Sequence, residues 1–153
     1  MPPTSSTVNL SRRAAVLIAP FAGGALASAI AFLLLRDSFP DRVPTHFSLD
    51  GTPDRFSSSA VALGQYMLVF AIEAIGTLAA GWSAKSALTS LRSLCVFACG
   101  LATATAYLFS AGMWTASGSE DSLMTFSLIQ LPLAIVVGAA VGAAAWYLSR
   151  SRA

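Results

Sequence analysis

Residues 14–35 read AAVLIAPFAGGALASAIAFLLL, a run of 22 residues without a single charge, and this stretch decides the fold class. An α-helix rises about 1.5 Å per residue, so the run would extend about 33 Å, and the hydrocarbon core of a bilayer is about 30 Å thick. A transmembrane helix tolerates Pro20 with local adjustment of its backbone. Arg12 and Arg13 directly precede the run, which therefore predicts a first membrane span.

A cleaved signal peptide is the alternative for this segment. The basic start and the small residues Ala27, Ser28 and Ala29 fit one. However, the apolar core of a signal peptide usually holds about 7–15 residues, and this run is longer and continues after Ala29 to Leu35. We therefore expect the segment to be retained as a span.

Further apolar runs downstream predict three more spans. Together they give an all-α membrane protein, a bundle of four transmembrane helices with a structured extracytoplasmic loop between helices 1 and 2. We expect a disordered cytoplasmic tail over 1–13 and a single transmembrane domain over 14–148, followed by a short cytoplasmic tail over 149–153. Within the domain the predicted spans are about 14–35, 61–82, 93–115 and 123–148, with the loop at 37–60 and Ser119 as a candidate N-cap of the fourth helix.

The composition supports this interpretation. Hydrophobic residues make up 56% and charged residues 10% of the chain, whereas soluble domains carry about 25% charged residues. A soluble four-helix bundle would need a polar face on every helix, and none of the four runs has one. The formal charge of +2 is too small to indicate binding to nucleic acid. We therefore expect the lipid bilayer as the main partner.

The distribution of basic residues predicts the orientation. Four spans place both termini on one side of the membrane. Three Arg residues lie on the other side, in the loop between the first two spans: Arg36, Arg42 and Arg55. Six basic residues lie on the side of the termini: Arg12, Arg13, Lys85, Arg92, Arg150 and Arg152. Cytoplasmic loops are enriched in Lys and Arg, so we expect cytoplasmic termini in a cell (plasma) membrane.

Small residues indicate how the helices pack. Gly138 and Gly142 form a GxxxG step in the fourth span, a pattern that allows two membrane helices to approach closely and that here suggests a homo-oligomer. Gly24 and Ser28 form a similar step in the first span. Cys95 and Cys99 lie four apart, so they share one helix face, and we interpret them as small interface side chains rather than as a redox pair.

The loop sequence DRVPTHFSLDGTPDRF, residues 41–56, is the most specific feature of the chain. Pro44 favours an extended conformation at Val43, and Asp50-Gly51 predicts a turn in which Gly supplies a positive φ. The loop is therefore expected to be a compact, hairpin-like lid. Its apolar residues are expected to rest on the helix ends: Val43, Phe47, Leu49 and Phe56.

The order P-T-H-F, D-G turn and P-D-R resembles the membrane family catalogued as domain of unknown function 1648 (DUF1648), which is related to the SdpI-type toxin-immunity proteins of bacteria. The resemblance implies a bacterial cell membrane protein with this motif between its first two helices. The chain departs from the family pattern at Ser48, Phe56 and Ser58 or Ser59, where Asn, Trp and Lys are frequent. The candidate binding or motif residues are Pro44, Thr45, His46, Phe47, Asp50, Gly51, Pro53, Asp54 and Arg55.

His46 is the only histidine of the sequence. As a structural residue it would bond a turn carbonyl or Asp54 and fix the lid, and as a functional residue it would recognise a partner. Histidine also changes charge between about pH 5 and 8 and could sense acidity. Together with Asp50 and Asp54 it makes a weak zinc set, because structural zinc sites use about four ligands. We expect no metal and no cofactor.

Glu73 lies near the middle of the second span. A charged side chain at that depth costs about 2.5–3.5 kcal/mol on insertion scales, so we expect a neutral carboxyl that faces the bundle. Thr103 and Thr105 on the third span lie at a matching depth and are candidate hydrogen-bond partners. The structural interpretation is a side chain that holds helices together. The functional alternative is a proton or cation site in a small transporter or channel.

No catalytic signature is visible, neither HExxH nor a phosphate loop, so we expect no catalytic residues and no enzyme. The sequence favours a binding, immunity or signalling-type module that recognises a peptide or protein partner through the loop. The alternatives are a transporter component that uses Glu73 and an accessory subunit of a larger membrane complex.

Overall fold

The computed structural model describes residues 5–83, 88–117 and 125–150. Within these residues the chain forms four long apolar helices, and a two-stranded antiparallel hairpin joins the first helix to the second, which confirms the predicted fold class. A 3₁₀ turn over Arg36–Ser38 leads from the first helix toward the hairpin. The elements are α1 (Ser5–Leu35), β1 (Val43–Phe47), β2 (Pro53–Ser57), α2 (Ser59–Ser83), α3 (Leu88–Ser117) and α4 (Gln130–Arg150).

All four helices are long and apolar enough to cross a membrane. The segments that qualify are Ser11–Ser38, Ser59–Trp82, Leu91–Ser117 and Gln130–Arg150. Large apolar side chains are exposed along the helices, among them Leu34, Ile75 and Ile135. Lipid tails are as apolar as these side chains and would cover them. The chain is therefore a multi-pass membrane protein whose helices lie in a lipid bilayer.

The predicted disordered tail over 1–13 is wrong for the residues from Ser5 onward, because α1 already begins there. Ser, Thr and Asn are only weak helix formers, but none of them breaks a helix as Pro does. The helix of the apolar run therefore extends toward the N-terminus through Arg12 and Arg13. Residues 1–4 lie outside the described part of the chain.

The fourth helix begins at Gln130 and not near residue 123 as predicted. The backbone N–H of Phe126 donates to the carbonyl of Gly51 at 2.8 Å, which holds the preceding segment outside the helix. The late start also places Pro132 in the first turn of α4, where its missing N–H costs no intrahelical hydrogen bond. Ser119, the predicted N-cap, lies outside the described residues.

Helix α3 packs against each of the other three helices, most extensively against α4 and α1. The predicted small step on α1 is a packing surface, since Ser28 is fully buried and a Cβ added at Gly24 would lie 2.8 Å from the ring of Phe70. Aromatic and small side chains alternate in this core, which includes Phe21, Phe70, Ala98 and Ala102.

The expected homo-oligomer through Gly138 and Gly142 is wrong for these residues, because both pack inside the chain. A Cβ added at Gly138 would lie 2.6 Å from the carbonyl oxygen of Gly100 on α3, and one at Gly142 would lie 3.4 Å from that of Val96. The GxxxG step therefore brings α4 close to α3, as the motif allows, but within a single chain. Cys95 and Cys99 are half-buried free thiols on α3, as expected for small interface residues.

Arg92 joins α3 to the last turn of α4. Its Nε donates to the Ser149 hydroxyl at 2.8 Å and its Nη2 to the Trp146 carbonyl at 2.6 Å, and the guanidinium lies 4.0 Å from the centre of the Trp146 ring. A basic side chain near a helix C-terminus also interacts favourably with the helix dipole. Arg92 therefore fixes the end of α4 on α3.

Candidate functional site

The loop over residues 41–56 forms the predicted hairpin. Strand β1 pairs antiparallel with β2 from Val43 opposite Ser57 to Phe47 opposite Pro53, with an irregular register on either side of His46. The turn closes through the Ser48 N–H, which donates to the Thr52 carbonyl at 2.8 Å, and Gly51 has a φ of 84°. The positive φ predicted for Gly51 is thus confirmed.

Asp50 stabilises this turn from its own side chain. The backbone N–H and the hydroxyl of Thr52 donate to Asp50 Oδ1 at 3.0 Å and 2.7 Å. Both bonds lower the pKa of Asp50 because they stabilise its charged form, and the bond from the Thr52 hydroxyl contributes most. The carboxylate of Asp50 is therefore engaged in the turn, although it is exposed.

His46 and Asp54 meet across the two strands. His46 Nδ1 lies 2.6 Å from Asp54 Oδ1, and the Ser48 hydroxyl donates to Asp54 Oδ2 at 3.2 Å. The hydrogen bond from His46 lowers the pKa of Asp54, with smaller contributions in the same direction from the His46 charge and from Ser48. The contact with Asp54 that was expected of a structural His46 is confirmed, and both side chains remain exposed to solvent.

The hairpin has a buried side and a polar side. Val43 is 1% exposed and packs with Ala62 of α2 and Ala116 of α3, while Pro44 and Gly51 are buried as well. The hydroxyls of Thr45 and Ser57 lie 3.4 Å apart between the strands, half-buried. The exposed charged or titratable side chains of the two strands are those of His46, Asp54 and Arg55. We call these three residues, together with Ser48, the polar hairpin face.

Phe126 completes the site, and its position beside the turn was not predicted from the sequence. Besides its hydrogen bond to Gly51, its ring lies 5.2 Å from that of Phe47, measured between centroids. A Cβ at position 51 would collide with the Phe126 carbonyl oxygen. Pro132 could have indicated the late helix start, but nothing in the sequence pairs Phe126 with the turn. The segment before α4 therefore docks the hairpin onto the bundle.

Leu49 does not rest on the helix ends, so that prediction is wrong. The residue lies in the turn, and it is 96% exposed. Phe47 and Phe56 are half-buried, and of the four apolar residues Val43 is the one that is fully enclosed.

Glu73 faces the helix bundle, as predicted, and its Oε1 accepts a hydrogen bond from the Thr105 hydroxyl at 2.6 Å. Thr103, the other candidate, instead donates to the Cys99 carbonyl within α3 at 2.7 Å. At about 100° per residue the two threonines point about 200° apart, so only one of them can face α2. Within the described residues, Glu73 Oε2 and Ser28 Oγ are the buried side-chain oxygens without a hydrogen-bond partner.

The polar hairpin face and Glu73 are two separate regions. Helix α2 begins at Ser59, so Glu73 lies about 21 Å further along it at about 1.5 Å per residue. Any role of one region can therefore be tested without disturbing the other.

These features define a four-span membrane protein whose first two helices are joined by a docked hairpin. Residues 23–69 match the family described as Domain of unknown function (DUF1648), and the matched part covers the C-terminal part of α1, the whole hairpin and the first part of α2. Residues 23–69 are thus similar to the DUF1648 domain that the loop motif indicated, while the link to immunity proteins stays a prediction. A search of curated proteins and a search of solved structures each found no match.

Proposed function

We propose that this protein is a membrane-anchored binding module that recognises a peptide or protein partner through the polar hairpin face. The observation that carries the proposal is the arrangement of His46 and Asp54, which are exposed yet held 2.6 Å apart. Their hydrogen bonds run within the hairpin, whereas buried apolar residues such as Val43 attach the hairpin to the helices. Exposed polar groups that are not needed for attachment are available for recognition.

The hairpin supplies preorganised chemistry for such a partner. Binding costs less when the groups that make contact are already ordered, and here the Ser48, His46 and Asp54 network orders them. Asp54 offers a carboxylate to donor groups, and the exposed Arg55 offers a planar donor to carboxylates. A two-stranded sheet also has open edges to which an extended peptide can add.

A binding role fits these side chains better than catalysis. A serine nucleophile is activated when its hydroxyl bonds a histidine that acts as base. The Ser48 hydroxyl donates instead to Asp54, and the same carboxylate holds His46 through its other oxygen. We therefore propose an immunity-type or signalling-type module and no enzymatic activity.

Co-purification from native membranes after crosslinking tests the proposal. Asp54→Asn and His46→Ala should each reduce the recovery of one specific partner several-fold, because each removes one half of the exposed pair. Ser58→Ala, at an exposed position at the foot of the hairpin, is the matched control and should retain the partner. Equal recovery with all variants would reject recognition through this face.

We propose that both termini are cytoplasmic and that the hairpin lies on the opposite side of a bacterial cell membrane. The excess of Lys and Arg on the side of the termini supports this orientation. Single cysteines at Arg55 and Arg150, introduced after Cys95→Ala and Cys99→Ala, test it with a membrane-impermeant thiol reagent on intact cells. We expect labelling at position 55 and protection at position 150. The reverse pattern would show that the termini face outward and would reject the proposed orientation.

A proton or cation site at Glu73 is the second candidate function. The buried Oε2 without a hydrogen-bond partner among the described residues favours it, since an ion or a proton acceptor could bind there. If Glu73 carries this function, Glu73→Gln should abolish transport as completely as Glu73→Leu, because both variants lose the titratable proton. The binding proposal expects partner recovery to survive Glu73→Gln.

A further inference from the structure

The turn of the hairpin, residues 48–52, carries an apolar side chain for which the fold offers no pocket. Leu49 is 96% exposed, the highest exposure among the large apolar residues of the structure's described part. A leucine in this environment is unfavourable if it faces water, since burying it would remove apolar surface from solvent. What covers the Leu49 side chain therefore depends on where the turn lies relative to the membrane.

The height of the turn relative to the membrane follows from α4. This helix has 21 residues and is about 32 Å long at about 1.5 Å per residue, close to the hydrocarbon thickness of about 30 Å. Its first residue, Gln130, therefore marks the edge of the hydrocarbon region. The polar headgroup layer extends about 5–8 Å beyond that edge.

The turn lies within this layer because Phe126 binds it. The chain between Phe126 and Gln130 is tightly curled, with the Gln130 N–H donating to the Ser127 carbonyl at 2.9 Å. A four-residue turn closed in this way spans less than about 7 Å, and Phe126 directly precedes it, with its N–H donating to the Gly51 carbonyl at 2.8 Å. The hairpin turn is therefore held at headgroup height.

An apolar surface connects this region with the lipid-facing side of α4. Ile135 and Leu131 are exposed on the helix itself, and exposure continues before its start with Ile129 at 60% and Leu128 at 45%. Leu49 lies in the turn that Phe126 holds through Gly51, and Phe126 is two residues before Leu128 in the chain. Apolar groups that border a bilayer in this way are those that partition into its interfacial region.

From this continuity we infer that the hairpin turn contacts the phospholipid headgroup layer of the same membrane, with Leu49 as the inserted side chain. Asp50 is adjacent and its carboxylate, held by Thr52, is negative, so the contact suits zwitterionic rather than anionic lipids. The contact would hold the polar hairpin face at a fixed height above the bilayer. This inference does not rest on the proposed function.

Fluorescence of a label at position 49 tests the inference. Leu49→Cys, made after Cys95→Ala and Cys99→Ala, is labelled with an environment-sensitive fluorophore, and the protein is reconstituted at low density in phosphatidylcholine vesicles. Nitroxide-bearing phosphatidylcholine and aqueous iodide serve as quenchers. Ile129→Cys and Arg55→Cys in the same background are the lipid-facing and the water-facing controls.

The nitroxide lipid should quench the label at 49 several-fold more strongly than the label at 55 and nearly as strongly as that at 129, with iodide showing the reverse order. Because Leu49 is almost fully exposed, its replacement removes no buried contact and should leave the fold intact. Quenching at 49 that equals that at 55 would overturn the inference. Protection from both quenchers would overturn it as well, since it would show a protein surface over the turn.

Discussion

Position 51 favours glycine for two reasons: its backbone conformation and the close approach of Phe126. The φ of 84° belongs to the left-handed region, which costs other residues about 1–2 kcal/mol, and a Cβ would collide with the Phe126 carbonyl. Gly51→Val should therefore release the hairpin from the bundle without preventing membrane insertion, which depends on the helices.

Limited proteolysis of the reconstituted protein measures this release. Cleavage within residues 41–56 should become several-fold faster in Gly51→Val. Gly64→Ala is the matched control, because a Cβ at position 64 meets nothing within 4 Å. A Gly51→Val protein as resistant as the wild type would show that the turn does not depend on glycine.

Asp54 offers a prediction about acidity. Its pKa lies below the ordinary value of 3.8 because His46 stabilises the carboxylate, so the pair adds stability above about pH 3.9 that is lost as the pH falls through the lowered pKa. His46→Ala should raise the pKa of Asp54 toward its ordinary value. Carboxyl carbon NMR titration measures it, and Asp50, whose pKa is lowered by Thr52, serves as an internal control. An unchanged midpoint for Asp54 would contradict the role of His46.

Glu73 connects α2 with α3 through its hydrogen bond with Thr105. Glu73→Gln should leave the stability of the bundle nearly unchanged, because Gln can still accept the hydrogen bond from Thr105. Glu73→Leu should lower stability by about 0.6 kcal/mol, the average for interhelical hydrogen bonds in membranes. Unfolding in mixed micelles, with Thr105→Val completing a double-mutant cycle, gives the interaction energy. Additive losses in the cycle would show that the two side chains do not interact.

The contribution of the contact between α3 and α4 to stability can be separated from the contribution of helix propensity. Ala in place of a helical Gly normally adds about 0.5–1 kcal/mol of stability, and Gly112→Ala should show this gain because a Cβ there meets nothing within 4 Å. Gly138→Ala should instead destabilise by about 1–3 kcal/mol, since its Cβ would lie 2.6 Å from the Gly100 carbonyl oxygen. The same unfolding assay compares the two variants, and a stabilised Gly138→Ala protein would contradict the packing.

Local signals made part of the structure predictable from the sequence. The apolar runs indicated four helices, and Pro44 with Asp50-Gly51 indicated the hairpin, because each signal acts within a few residues. The start of α4 was missed because it depends on the bond between Phe126 and Gly51, which are distant in sequence. The choice of Thr105 over Thr103 depends on the rotation of α3, which depth alone does not specify.

The helices and the hairpin present different surfaces to their surroundings. The helices bury small and aromatic side chains against one another and present an apolar surface to lipid, with Glu73 and Thr105 as a polar contact inside. The hairpin is fixed to one end of the bundle by Val43 and Gly51, and its polar face remains open. A module that binds through the hairpin and an accessory subunit that binds through its helices therefore differ in which surface meets the partner.

Photo-crosslinking in native membranes distinguishes these surfaces directly. A photoreactive phenylalanine is placed at Arg55 on the polar hairpin face, at Ile75 on the exposed side of α2, or at Trp82 near the opposite end of that helix, in separate proteins. We predict a discrete protein adduct from position 55 that disappears when Asp54→Asn is added, and lipid adducts from positions 75 and 82. A protein adduct from position 75 without one from 55 would contradict recognition by the hairpin and show a partner bound along the helices.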